Sequence, residues 1–246
     1  MRNNYGFTMA EVLITLGIIG VVAAMTLPGL VAAYRDKVYT AQSKKAYSAV
    51  LNAINMAKAA EGLSDYTGIY DTSTTSDITA RKILKYMKVT KYCGNTAGCW
   101  AKKTKYQSRT NNGSGSVAVS NYFSNTSWAK AVLADGSTIG FVLYKKQDPG
   151  NTPGGWGGIG DNCLTQFNNR VRDENGNYTG EIRTSTGNQC GQIIFDSNGD
   201  KGPNQLGADT FSFVVKSNKI VQYQGSFYDV LSGGILRYEN YSEGSF

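Results

Sequence analysis

The sequence predicts an α+β protein: a long N-terminal helix, membrane half plus amphipathic half, packed on a mainly antiparallel β-sheet head. Three observations predict it. Val12 to Ala33 is a run of 22 residues without a charge. A proline-free, Ala-rich stretch follows and stops at Gly62. Beyond it come short apolar runs separated by Asp-Gly, Asn-Gly and Ser-Asn turn signals. A long helix followed by consecutive strands is the order of an α+β domain.

The apolar run is long enough to cross a bilayer core of ~30 Å at ~1.5 Å per helical residue. The stretch after it, YRDKVYTAQSKKAYSAVLNAINMAKAAEG, continues the helix. Tyr47, Val50, Leu51, Ile54 and Ala57 or Lys58 recur at spacings of three and four and form one apolar stripe. Gly62 supplies the stop. Pro28 removes a backbone donor inside this run, so two helices hinged there are the alternative.

The head follows from Gly62 to Phe246, 185 residues, enough for one core. A short helix is expected over Ile78 to Lys88, with Asp77 as N-cap and Ile83, Leu84 and Met87 inward. TNNGSGSVAVSNYFSNTSW reads as a loop or an exposed hairpin. AKAVLADGSTIGFVLYKK reads as a hairpin turning at Asp135-Gly136. DPGNTPGGWGGIGD is a Gly-rich loop without the lysine or the helix of a phosphate cradle. RDENGNYTG turns at Asn175-Gly176, CGQIIFDSNG begins with a strand, and DTFSFVVKSNKIVQY is a hairpin around Ser217-Asn218-Lys219. The tail YDVLSGGILRYENY adds an edge strand.

Composition narrows the chemistry. There is no histidine, which removes the commonest general base and most zinc sites. The formal charge is +7, an argument about partners and not about fold. Four cysteines allow three connectivities. Cys93–Cys99 and Cys163–Cys190 each close a loop inside one local segment and are the preferred pairs; four reduced core cysteines are the alternative. Asp173 and Glu174 are adjacent acids in a turn, and nothing else converges on them for a hydrolase. No enzyme is expected. Asn112, Asn125, Asn177 and Asn240 stand in N-x-[ST] sequons that arise by chance in so Asn/Ser/Thr-rich a chain.

One residue interrupts the apolar series. Glu11 stands at its entrance, just after Phe7, where an ordinary signal peptide gains nothing from an acid. The stretch GFTMAEVLITLGIIGVVAAMTLP, residues 6–28, closely resembles the prepilin N-terminus shared by type IV pilins and type II secretion pseudopilins. The resemblance implies cleavage by a prepilin peptidase after Gly6 and N-methylation of Phe7. It places the family's glutamate on Glu11 and its helix-loosening proline on Pro28. The leader MRNNYG is short, with one basic residue where many in the family have more. The strict likeness covers about 30 residues, and pilin heads share the plan read above. The expected organisation is leader 1–6, membrane or filament-core helix 7–33, amphipathic helix 34–61 and head 62–246.

The resemblance gives Glu11 a physical role. A lone carboxylate in lipid costs about 2–4 kcal/mol unless paired or neutralised. Cleavage creates a positive amine on Phe7, and in an axially offset stack the amine of one copy meets Glu11 of another. Buried ion pairs are best attested in such register roles.

Two further sites are expected in the head. FDSNGDKGPNQLGADTF gathers Asp196, Asn198, Asp200 and Asp209 around glycines, an oxygen set suited to calcium. It departs from the EF-hand, with Lys201 at the sixth position and Gly207 at the twelfth. It resembles the C-terminal calcium loop of major pseudopilins in position and composition; an Asx-rich turn without metal is the alternative. Calcium would be structural, and no cofactor is required. Separately, Ile78 to Ala134 holds no acid but carries Arg81, Lys82, Lys85, Lys88, Lys91, Lys102, Lys103, Lys105, Arg109 and Lys130, with Tyr92, Trp100 and Tyr106 among them. Such a patch suits DNA through phosphates and stacking, or an acidic neighbour, or a solvated face.

The expectation is a filament subunit: an inner-membrane precursor with its head outside the cytoplasm, then part of a periplasmic or surface filament. Its partners are other copies or related subunits, the prepilin peptidase, the assembly platform and lipid, with DNA less favoured. The alternatives are a minor tip pilin that binds DNA or a surface ligand, and an exported calcium-stabilised protein whose signal peptide is cut near Ala32-Ala33.

Overall fold

The computed structural model describes residues 8–71, 73–100, 104–109, 115–120, 128–144, 156–158, 163–175, 177–224, 227–233 and 236. The chain forms two compact units, Met1–Val38 and Tyr39–Phe246. Helix α1, Met9–Ala60, contributes to both and runs through Pro28 without a break. In the first unit its apolar side chains, Leu13, Ile14, Leu16 and Ile18 among them, are exposed. This stretch is long and apolar enough to cross a membrane, and none of it is buried.

In the second unit the rest of α1 presents Ser43, Ala46, Val50, Ala53, Ile54 and Ala57 to the core. The stripe is rotated from the one expected. Leu51 and Lys58 are only half-buried, whereas Ala46 and Ala53 are buried. Tyr47 packs at the margin, its ring 5.2 Å from Phe213 and 4.9 Å from Phe227.

Helix α2 is Ser76–Leu84. Its N-cap is Thr75, not Asp77: the Thr75 hydroxyl accepts the Ile78 N–H. Asp77 has other partners, since Tyr92 OH and Arg81 Nε both donate to its carboxylate. The helix also ends earlier than expected, and Tyr86 and Met87 follow in tighter turns bonded to Ile83 and Leu84.

The strands are β1 Val89–Gly94, β2 Thr104–Arg109, β3 Gly115–Ser120, β4 Ala129–Leu133, β5 Thr138–Leu143, β6 Trp156–Gly158, β7 Leu164–Arg172, β8 Tyr178–Asn188, β9 Gly191–Asp196, β10 Thr210–Val215 and β11 Ile220–Gln224. Six form the main sheet in the order β1-β4-β5-β9-β10-β11. Every pairing in it is antiparallel. β2 pairs with β3, so that region holds a hairpin. β6, β7 and β8 make a third sheet, so the Gly-rich segment supplies a short strand. The turns at Asp135-Gly136, after Arg172 and at Ser217 lie where the sequence placed them.

Alternation assigns the faces of the main sheet. Ile139, Phe141, Ile193, Phe195, Phe211 and Phe213 join the α1 residues in the core. Ile194 and Val142 point the other way and meet Trp100, Trp128 and Leu206. The interior strands β9 and β10 are therefore buried on both faces. Each such Phe or Ile contributes about 1.5–3 kcal/mol by leaving water. The expected edge strand of the tail is not formed at its start. Phe227–Leu231 is a short helix, α3, because Phe227 and Val230, three apart, both reach the core.

Candidate functional site

The start of α1 shows how the chain handles Glu11. Thr8 N–H and Thr8 Oγ1 both donate to Glu11 Oε2 at 2.8 Å, and Glu11 N–H donates to Thr8 Oγ1 at 3.2 Å. This is a reciprocal capping box. Its signal in the sequence is the T-x-x-E spacing of Thr8-Met9-Ala10-Glu11. In a single chain Glu11 thus satisfies the Thr8 amide at the start of its own helix. Gly6 and Phe7 lie outside the described residues. Pro28 sits inside the helix, where Thr26 Oγ1 donates to the Val22 carbonyl at 2.9 Å.

The second candidate is the loop between β9 and β10. Asp196 and Asp209 are at most 1% exposed. Asp196 Oδ1 accepts the Asn198 and Gly199 amides, and its Oδ2 accepts Thr210 Oγ1 at 2.8 Å. Asp209 accepts the Asn204 and Gln205 amides at 2.9 and 2.8 Å. Burial and the charge of Asp209 push the Asp196 carboxyl well above the usual range. Burial raises Asp209 to about 6 against the pull of its amide donors. The loop reaches α1: Tyr39 OH donates to the Gly202 carbonyl at 3.0 Å, and Ser43 and Ser197 bond through their hydroxyls.

Of the four residues expected to hold calcium, Asp196 and Asp209 are buried and Asn198 is half-buried. Asp200 is exposed, and only its backbone carbonyl is engaged, by Asn204 Nδ2. Among the described residues no group of three His, Cys, Asp or Glu side chains converges as a metal site. What remains are two buried carboxylates and two amide oxygens, Asn198 Oδ1 and Asn204 Oδ1, buried without a hydrogen-bond partner among the described residues. These oxygens suit a hard cation and no soft one; they number six, the lower end of what calcium takes, and the four carboxylate oxygens already accept hydrogen bonds. Asn204, which the D-x-N-x-D spacing does not include, follows Pro203 and has a positive φ of 49°.

The basic stretch is less free than its sequence suggests. Arg81 pairs with Asp77 at 2.8 Å and lies over the Tyr92 ring. Lys82 pairs with Glu61 at 2.9 Å. Both acids come from outside the acid-free stretch. Lys130 is buried, its Nζ donating to the Trp128 carbonyl. Trp100 is buried too and offers no stacking platform. Lys85, Lys88 and Lys91 are exposed. Lys105 and Arg109 fall on β2, whose side chains lie outside the described residues, as do Lys102, Lys103 and Tyr106.

Cys93 bonds Cys99, and Cys163 bonds Cys190, so the described residues hold no free cysteine. Asp173 Oδ1 accepts the amides of Asn175 and Asn177, which makes it a turn builder. Of the sequon asparagines only Asn177 is described, and it lies in this turn.

Residues 1–27 match the family described as the prokaryotic N-terminal methylation motif. That is the prepilin-type signal found on type IV pilins and pseudopilins. No curated protein and no solved structure matches the chain.

Proposed function

We propose that this chain is a structural subunit of a type IV pilus-like or type II secretion filament. A prepilin peptidase removes residues 1–6 and methylates Phe7, and the mature chains pack through their apolar helices. The observation that carries this reading is the methylation signal leading directly into an exposed, uncharged helical stretch. On assembly Glu11 exchanges its bonds to Thr8 for the amine of Phe7 in another copy, and Pro28 supplies a point where the helix gives. The precursor resides in the inner membrane, and its role is mechanical.

The mass of the N-terminal peptide from protein recovered from cells tests the reading. A peptide beginning with N-methylated Phe7 is the expected result. A start near Tyr34 would make this an exported soluble domain and remove the roles given to Glu11 and Pro28.

A second role rests on the β9–β10 loop. We infer that Asp196 and Asp209, with the oxygens of Asn198 and Asn204, are where a hard cation such as calcium would be held as a structural element. The cation would offset the mutual repulsion of two buried carboxylates. Asp200 is left out of this set because its side chain is exposed. Thermal unfolding with calcium and with chelator tests it: equal midpoints would leave the loop an Asx-built turn. DNA binding at a filament tip is the weaker alternative, since Arg81 and Lys82 are already paired and Lys130 is buried.

A further inference from the structure

The second unit has a groove on one flank of α1. It has a volume of about 470 Å³ and is bounded by Lys45, Asn52 and Met56 of α1, Met87 and Lys88 before β1, and Asp135 in the β4–β5 turn. At ~100° per residue, Lys45, Asn52 and Met56 lie within about 40° of one another on the helix. Its lining is mostly apolar, with Ala49, Ala53, Met56, Met87 and Leu133, and its charged members are Lys45, Lys88 and Asp135. Met56 is 53% exposed there, an unusual position for a methionine. Methionine side chains adapt to what covers them. Lys45 is held at 3.0 Å by Asp135, whereas Lys88 is exposed and makes no ion pair among the described residues.

Residues 237–246 read RYENYSEGSF. This tail alternates aromatic and acidic groups: Tyr238, Glu239, Tyr241, Glu243 and Phe246. It is the chemical complement of the groove, with rings for the methionines and carboxylates for Lys88. The tail begins after buried Leu236, five residues beyond the end of α3 at Leu231. α3 packs through Phe227 on Tyr47. Tyr47 lies about 160–200° around α1 from Lys45 and Met56. The tail therefore follows an element seated on the opposite flank of the helix from the groove. The outer side of α1 between these two flanks carries the exposed Ser48, Asn55 and Ala59.

We propose that the groove between α1 and the β4–β5 turn receives the tail 237–246 of a second copy of this chain. A groove on one flank and a tail rooted on the other make the contact head-to-tail. Such a contact repeats without closing on itself unless the rotation happens to complete a ring. It would give the heads a join of their own beside the packing of the apolar helices. The inference rests on the filament reading and adds a specific head-to-head contact to it.

Oxidative cross-linking of the full chain in the membranes of expressing cells tests it. One tagged copy carries Asn52→Cys and a differently tagged copy carries Ser242→Cys. A dimer containing both tags is expected, absent when either substitution is present alone. Lys88→Glu on the first copy should abolish the dimer, and Glu239→Lys with Glu243→Lys on the second should restore it. Leu16→Cys, in the apolar helix, separates this idea from the filament reading. A Leu16 dimer without an Asn52–Ser242 dimer would overturn the docking and leave the filament standing. Absence of both would remove both. A chain carrying Asn52→Cys and Ser242→Cys together that links only to itself would make its own tail the occupant and overturn the proposal.

Discussion

Thr8 and Glu11 hold each other at the first turn of α1, hydroxyl and amide to carboxylate at 2.8 Å and amide back to hydroxyl at 3.2 Å. The pair gives Glu11 two separable properties, a hydrogen-bond acceptor for its own helix and a negative charge for another copy. Glutamine keeps the first and loses the second, because Gln also closes a capping box. Glu11→Gln should therefore leave the helix start ordered, seen as unchanged amide exchange at residues 9–12 in detergent micelles, while filament yield collapses. Thr8→Val should do the reverse to the helix, loosening its first turn by about 1 kcal/mol. Normal filament yield from Glu11→Gln would show that the charge has no part in assembly.

Gly199 is a second point of sequence control. Its φ is +69°, and a Cβ there would lie 2.4 Å from the carbonyl oxygen of Gly136. That oxygen is backbone and cannot turn away. Gly199→Ala thus combines left-handed strain with a collision between the β9–β10 loop and the β4–β5 turn. A loss of about 2–4 kcal/mol is expected, roughly 5–15 °C in Tm for a domain of this size. Gly136→Ala strains the same φ region, at +85°, but meets open space. It should cost about half as much or less, and equal losses would discount the collision.

Much of this was legible in sequence because it rests on local patterns. The hairpin at Asp135-Gly136 follows from its turn pair between alternating apolar residues, and the long helix from an uncharged run joined to a proline-free one. What was not legible depends on tertiary fit. Leu51 is more apolar than Ala53, yet Ala53 is buried and Leu51 only half-buried, because the face turned to the core is set by tertiary packing and not by apolarity alone. Asp77 is an ordinary cap residue by type, but Tyr92 and Arg81 claim it and Thr75 caps instead. In the candidate cation loop, D-x-N-x-D spacing brought Asp196 and Asn198 inward and left Asp200 outside. The turn that follows fixes that choice, and the spacing alone does not encode it.

The two disulfides should contribute unequally. Cys93 and Cys99 are six residues apart in sequence, and Cys163 and Cys190 are 27 apart. Loop-closure entropy predicts about 2–2.5 kcal/mol for the short loop and about 3.5 kcal/mol for the long one. Cys163→Ser with Cys190→Ser should therefore lower Tm by more than Cys93→Ser with Cys99→Ser. The long link also joins the start of β7 to the strand β9, since Cys190 precedes Gly191 and is fully buried. An equal or inverted order of the two Tm losses would show that strain or residual structure outweighs loop length.

Asp196 and Asp209 give the head a pH dependence of unusual sign. Their folded carboxyl pKa values are raised, Asp209 to about 6 and Asp196 well above the usual carboxylate range, mainly by burial. A group raised on folding stabilises fully below its unfolded value, near 4, and loses that stabilisation as pH climbs through its folded value. The metal-free head should thus lose stability between about pH 4.5 and 7, by on the order of 1–3 kcal/mol. Asp77 and Asp135 have lowered carboxyl pKa values despite partial burial, held down by Tyr92, Arg81, Ser137 and Lys45. Their contribution runs the other way and is lost only below about pH 4, outside this window. Asp209→Asn removes one of the repelling charges and should flatten the slope. A cation bound by the two carboxylates reverses its sign, because it competes with the protons and holds the ionised pair. Tm measured across this range with EDTA and with millimolar calcium distinguishes the cases. A falling curve that calcium turns upward supports the cation. A falling curve that calcium leaves alone assigns the pair a shared proton, and a flat curve in EDTA would mean that neither carboxyl is held protonated in the fold.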